Sequence, residues 1–131
     1  MFGLMQDWPL TVDKVLDHAK QNFPRREIVT RSVETGALSR SNYGTVWRRA
    51  KQVSNALRER GVRPGDRVAT LAWNTERHLE VWYGAMGIGA VLHTLNPRLF
   101  PDQIAWIANH AEDKLIFFDI TFAPIVAAIA A

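Results

Sequence analysis

Along residues 41–61, "SNYGTVWRRAKQVSNALRERG", apolar side chains return every three or four positions. Tyr43, Val46, Trp47, Ala50, Val53 and Leu57 form one stripe, and the charges fall on the opposite face. That period predicts an amphipathic helix, with Ser41 or Asn42 as its cap and Gly61 as its stop. A shorter helix is predicted upstream, over about 11–22, from Val12, Val15, Leu16, Ala19 and Phe23, with Pro24 ending it. Between the two, Ile28 and Val29 lie in a β-prone run. Glu34-Thr35-Gly36 is a turn signal and a second short run follows, so residues 26–41 read as a β-hairpin.

Beyond residue 62 the pattern changes. "RVATLAW" is a short apolar run without clean alternation, as expected of a strand buried on both faces of a parallel sheet; "AVLHTL" reads as a second buried strand and "DKLIFFD" as a third strand. Helical periods separate them. One is "ERHLEVWYGAMGIG", capped by Asn74 or Thr75. Another is "PDQIAWIANHA", with Pro101 at its first position. A third begins in "ITFAPIVAAIAA". The order strand, helix, strand, helix, strand, helix predicts right-handed βαβ units. The expected fold is α/β: a partial doubly wound, mainly parallel sheet with flanking helices, preceded by an N-terminal helix and hairpin. Residues 1–61 would form the helix, hairpin and helix, and 62–131 the βαβαβα unit. The last helix has no terminal signal, so the chain reads as a piece of something longer; the alternative is a frayed end on a complete domain.

Gly84, Gly87 and Gly89 cluster in "YGAMGIGAVLHTLNPR" and suggest a nucleotide loop. Element order argues otherwise. A phosphate-binding loop follows a strand and opens a helix, where bare N–H groups and the positive dipole end meet the anion. Here the glycines close a helix and precede a strand, and their spacing is G-x-x-G-x-G. Gly84 and Gly87 are instead expected to share a helix face and allow close approach to the sheet. Gly89 is expected to serve as a left-handed helix stop.

Composition adds exclusions. The 131 residues are 47% hydrophobic and 22% charged, which suits one domain with a core. The net charge is +3, with 12 Arg and 4 Lys interleaved with acids. No basic stripe emerges, so nucleic acid is not an expected partner. With no cysteine there is no disulfide, thiolate metal site or Cys nucleophile. The first residues lack a signal-peptide pattern and no run reaches the length of a membrane span, so the cytoplasm is the expected setting.

Catalytic motifs are sparse. His18, His78, His93 and His110 show no metal-ligand spacing, and a hydrogen-bonded structural role is expected for each. There is no Gly-x-Ser-x-Gly elbow and no G-x-x-x-x-G-K-[ST] loop. Asp66 reads as a turn residue and Asp119 as a helix cap after the third strand. The best candidate is "LNPRL", at the C-terminal end of what the pattern makes a central strand, where ligands bind in open α/β sheets. Arg98 could meet an anion there; alternatively Asn96-Pro97 is only a turn and Arg98 is solvated. Trp73-Asn74 leaves its strand in the same manner.

The run "GVRPGDRVATLAWNTERHLEVWYGAMGIGAVLHTLNPRLFPDQIAWIANHAEDKLIFFD" resembles the N-terminal region of adenylate-forming acyl-CoA synthetases. It is most similar to the medium- and long-chain fatty-acyl-CoA ligases and the methylthiopropionate–CoA ligases. The signature is distributed over "GDRVATLAWN", "GAVLHTLNPRL" and "NHAEDK" before an apolar strand ending in Asp. "REIVTRSVETG" and "NYGTVWRRAKQVSNALRERGV" are similar to the same family's opening hairpin and helix.

The resemblance implies a parent enzyme using ATP, Mg2+ and CoA to convert a carboxylic acid, through an acyl-adenylate, to its CoA thioester. It also implies that the phosphate loop, nucleotide motifs, hinge and catalytic lysine lie beyond residue 131. No catalytic residue is therefore assigned, the chain alone is expected to be inactive, and no cofactor is expected to bind it tightly. By position, Asn96, Pro97 and Arg98 would lie near the route of CoA. A homodimer through residues near 8–25 is a further implication. Phe100 departs from the family, where many members place a capping Ser. A standalone CoA-binding or dimerisation module of the same fold, and a generic three-layer nucleotide-binding domain, are the alternatives.

Overall fold

The computed structural model describes residues 3, 4 and 7–129. Helix α1 (Asp13–Asn22) leads to strand β1 (Glu27–Arg31), strand β2 (Leu38–Asn42) and helix α2 (Tyr43–Glu59). Then come β3 (Arg67–Leu71), α3 (Glu76–Met86), β4 (Val91–Thr94), α4 (Pro101–His110) and β5 (Leu115–Phe118). A 3-10 turn (Ile120–Phe122) runs into α5 (Ala123–Ile129). The end of the expected last helix, residues 130 and 131, lies outside the described residues.

β1 and β2 pair antiparallel from Glu27↔Asn42 to Arg31↔Leu38. Gly36 takes φ +71° in the turn that joins them. The second sheet is parallel, in the order β4-β3-β5. The alternation along β3 divides the core in two. Val68 points to the layer of α2 and α3, among Leu57, Val62, Ala85 and Ile88. Ala69 and Leu71 point to the layer of α4 and α5, among Leu95, Ile104 and Phe122. A smaller cluster of Leu16, Val46 and Ala50 seats α1 against α2. β3 is thus buried on both faces, as its unalternating sequence requires.

β4 corrects an expectation. It is an edge strand of this sheet, not the central one, and its burial is partial. Its apolar run leans on α3 through Leu92, while Val91 is exposed.

Helix ends follow the sequence signals closely. Asn42 caps α2, its Oδ1 accepting the Thr45 N–H at 2.9 Å. At the other end Val62 N–H reaches Leu57 O at 3.0 Å and Gly61 N–H reaches Arg58 O at 2.9 Å, with Gly61 at φ +79°. These are the two bonds of a Schellman stop. α3 closes the same way through Gly89 at φ +77°, with Gly89 N–H to Met86 O and Ala90 N–H to Ala85 O.

Gly84 does allow a close approach, but to a helix and not to the sheet. A Cβ there would sit 2.6 Å from Val53 Cγ1, 2.7 Å from Val53 Cβ and 3.0 Å from Ala50 O, all on α2. Ser54 Oγ donates to Gly84 O at 2.8 Å inside this contact. The helix pair α2–α3 is therefore in near backbone contact. The amide hydrogens of Gly87 and Gly89 are already spent on Tyr83 O and Met86 O, which leaves none for a phosphate.

Candidate functional site

The chain leaves β3, β4 and β5 on one side of the parallel sheet, and three concave surfaces gather there beside the exits of β3 and β5. Ala72-Trp73-Asn74 carries β3 out to Thr75, the cap of α3, whose Oγ1 accepts the His78 N–H at 3.4 Å. Asp119 follows β5. Its Oδ2 accepts the Trp73 N–H at 2.6 Å and makes no helix-cap bond. The capping role expected of Asp119 is thus replaced by a tie between two strand exits, because parallel neighbours end side by side. Trp73 adds a bond from Nε1 to Thr121 Oγ1 at 2.9 Å, and its ring packs on Phe122 with centroids 4.9 Å apart.

The hairpin docks on this exit. Thr30 Oγ1 accepts the Glu76 N–H at 3.1 Å, and Ser39 Oγ donates to Glu76 Oε1 at 3.2 Å. Between hairpin and exit lies a cleft of about 300 Å³ walled by Thr30, Ser39, Trp73, Glu76, Arg77 and Asp119. An apolar cleft of about 320 Å³ adjoins it, lined by Ile28, Val29, Leu79 and Trp82 with His78. A third, of about 420 Å³, lies toward β5 between Arg49, Thr70, His78, Glu80, Phe117 and Asp119. The hairpin contacts were not legible in sequence, since Thr30 and Glu76 are far apart and neither sits in a motif.

His78 belongs to two of these clefts. Its Nε2 lies 3.0 Å from Thr70 Oγ1 and accepts the Trp82 indole N–H at 3.1 Å. Burial holds its pKa below the usual 6.5, partly opposed by a bond to the Trp73 backbone and by the Asp119 charge. Burial likewise raises the Glu80 carboxyl above its usual 4.5, although Arg49 Nη1 donates to Glu80 Oε1 at 3.2 Å. The other histidines have local partners too. His93 Nδ1 contacts Asp113 Oδ2 at 2.8 Å, His18 contacts Asn22, and His110 stacks on Trp106. Asp66 is the turn residue expected, its Oδ2 accepting the Arg63 N–H at 2.8 Å.

Asn96, Pro97 and Arg98 occupy the turn from β4 to α4, and none of them lines these three clefts. Leu95 anchors the turn in the core. Asn96 Oδ1 accepts the Arg98 N–H at 3.0 Å, an Asx turn that commits part of the Asn side chain to local geometry. Arg98 is exposed, and its guanidinium makes no ion pair among the described residues, leaving its donors open to an anion. At Phe100 the Gln103 Oε1 accepts the Phe100 N–H at 3.1 Å. That is half of a capping box; the phenyl ring cannot return the other half.

Among the described residues no group of three or more His, Asp or Glu is placed to hold a metal ion, and no helix is long and apolar enough to cross a membrane.

Comparison with known proteins brings this arrangement into context. The chain is 49% identical over 130 residues to the 3-methylmercaptopropionyl-CoA ligase of Ruegeria lacuscaerulensis, covering 98% of this chain and 24% of that one. It is 48% identical over 125 residues to the long-chain-fatty-acid–CoA ligase of Thermus thermophilus, covering 95% and 23%. The fold superimposes on a fatty acyl CoA synthetase of Mycobacterium tuberculosis with TM-score 0.79 and 26% identity, over 92% of this chain and 24% of that one. The chain thus spans about a quarter of the length of these relatives. The sequence profile of the AMP-binding enzymes matches residues 16–130, and the chain belongs to the AMP-binding enzyme family.

Proposed function

We propose that the chain is the N-terminal part of the large adenylation domain of an acid–CoA ligase acting on a fatty acid or related carboxylic acid. The parent would form an acyl-adenylate from ATP with Mg2+ and pass the acyl group to CoA. The observation that carries this reading is identity of nearly one half, over almost the whole chain, to ligases that make CoA thioesters of quite different acids. That breadth leaves the acid itself open within the class.

The glycine cluster at the end of α3 does not itself fit a phosphate. The amides of Gly87 and Gly89 are used within the helix stop, and among the described residues no group of three or more His, Asp or Glu is placed to hold a metal ion. No step of adenylation is therefore assigned to them, and the 131 residues alone are proposed to be inactive. Asn96, Pro97 and Arg98 are proposed to lie near bound CoA, with the exposed Arg98 guanidinium facing an anionic group of the cofactor. The test is a chimera in which residues 16–129 replace the matching segment of the Thermus ligase. Retained acyl-CoA formation is expected, and the isolated chain should show no fatty-acid-dependent ATP–pyrophosphate exchange. A folded but inactive chimera, or exchange by the isolated chain, would refute the assignment.

A second reading, dimerisation, is favoured by the exposed apolar surface of the N-terminal segment. Leu10, Val12 and Val15 stand 86%, 50% and 60% exposed around a shallow apolar groove on α1. Burial of such surface against a second copy would shield it from water. Sedimentation should show a dimer that Val15→Asp weakens; a monomer at all accessible concentrations would remove this reading.

A further inference from the structure

We infer that His78 is a latch: its neutral ring holds Trp82 against the cleft beside the hairpin, and its protonation releases that indole. The argument begins with donors and acceptors. An indole N–H can only donate, so the 3.1 Å bond from Trp82 Nε1 requires a lone pair on His78 Nε2. The ring is therefore neutral, with its proton on Nδ1. Thr70, 1% exposed, supplies a second contact to Nε2 at 3.0 Å.

The two partners of Nε2 respond differently to a proton. In the neutral ring the single Nε2 lone pair serves the Trp82 N–H, whereas the Thr70 oxygen can accept from a protonated Nε2 and keep its place. Trp82 cannot, because the indole has no acceptor to offer, and two N–H groups facing each other repel. Protonation thus expels one neighbour selectively. Trp82 and His78 are both walls of the apolar cleft with Ile28, Val29 and Leu79, and His78 also borders the polar cleft toward β5. Losing the bond frees the wall that Trp82 forms.

The surroundings supply both signs of charge. Asp119, after β5, favours the protonated ring. Glu76, Arg77 and Glu80 flank it on α3, and Arg49 of α2 is committed to Glu80. The hairpin residues at the apolar cleft, Ile28, Val29 and Thr30, are uncharged. Burial opposes the charge and holds the ring's pKa below its usual value.

The experiment is nuclear magnetic resonance on the whole chain with nitrogen-15 histidine and tryptophan, titrated from about pH 8 to about pH 5. Long-range imidazole spectra are expected to show the Nδ1–H tautomer at the upper end. The Trp82 indole cross-peak should move with the His78 midpoint. In Trp82→Phe the neutral ring loses a donor, so the His78 midpoint should rise. In His78→Gln, which retains an acceptor and cannot be protonated, the Trp82 cross-peak should lose its pH response. An Nε2–H tautomer, a Trp82 signal indifferent to the His78 titration, or an unmoved midpoint in a folded Trp82→Phe chain would each overturn the latch.

Discussion

Replacing Gly84 by Ala adds one methyl group at the tightest point of the α2–α3 contact. Its carbon would fall 2.6 Å and 2.7 Å from two atoms of Val53 and 3.0 Å from the Ala50 carbonyl. Val53 cannot yield by rotation alone, because one of the atoms struck is its own Cβ. Ala50 O is backbone. The helices must part, and overpacking of this kind costs about 1–3 kcal/mol. Parting also stretches the 2.8 Å bond from Ser54 Oγ to Gly84 O, a loss of about 1 kcal/mol. The better helix propensity of Ala returns up to about 1 kcal/mol. The net is a destabilisation of about 2 kcal/mol, on the order of 5–10 °C in melting temperature for a chain of this size. Thermal melts followed by circular dichroism measure it. The control is Val53→Ala in the same background, which should recover about 1 kcal/mol or more of coupling. An unchanged or raised melting temperature for Gly84→Ala would refute the close-contact argument.

Three further outcomes are expected. Asn42→Ala removes the acceptor for the Thr45 N–H and should cost about 1 kcal/mol of stability in denaturant unfolding. Phe100→Ser should complete the capping box that Gln103 already half forms, raising stability by about 0.5–1 kcal/mol in the same assay. For Glu80 the sign follows from its raised pKa. The folded state binds the proton more tightly than the unfolded one, so the wild type is favoured below about pH 4.5 and loses that advantage as pH rises through the folded value. Relative to Glu80→Gln, wild-type stability should therefore fall across that window; a difference independent of pH would contradict it.

Much of the local structure was legible along the chain. The stripe from Tyr43 to Leu57 placed α2, and Asn42 and Gly61 marked its ends, because capping depends on neighbours within a turn. The unalternating run of β3 announced burial on both faces, and the order of elements argued against a nucleotide loop at Gly84, Gly87 and Gly89. These features are set by short-range geometry or by periods that a linear sequence displays.

Tertiary structure decided the rest. "AVLHTL" looks as apolar as a central strand, yet β4 lies at the sheet's edge, since strand order depends on crossovers that no single run encodes. Gly84 was readable as a site of close approach, but only the packed fold shows that the neighbour is Val53 of α2 and not the sheet. Asp119 has the look of a cap and instead clasps Trp73, because parallel strands bring their exits together. His78 and Trp82 are one turn apart on α3, but the Thr70 hydroxyl that completes their network arrives from β3. Sequence fixes which groups a residue offers; which partner meets them is settled by long-range packing.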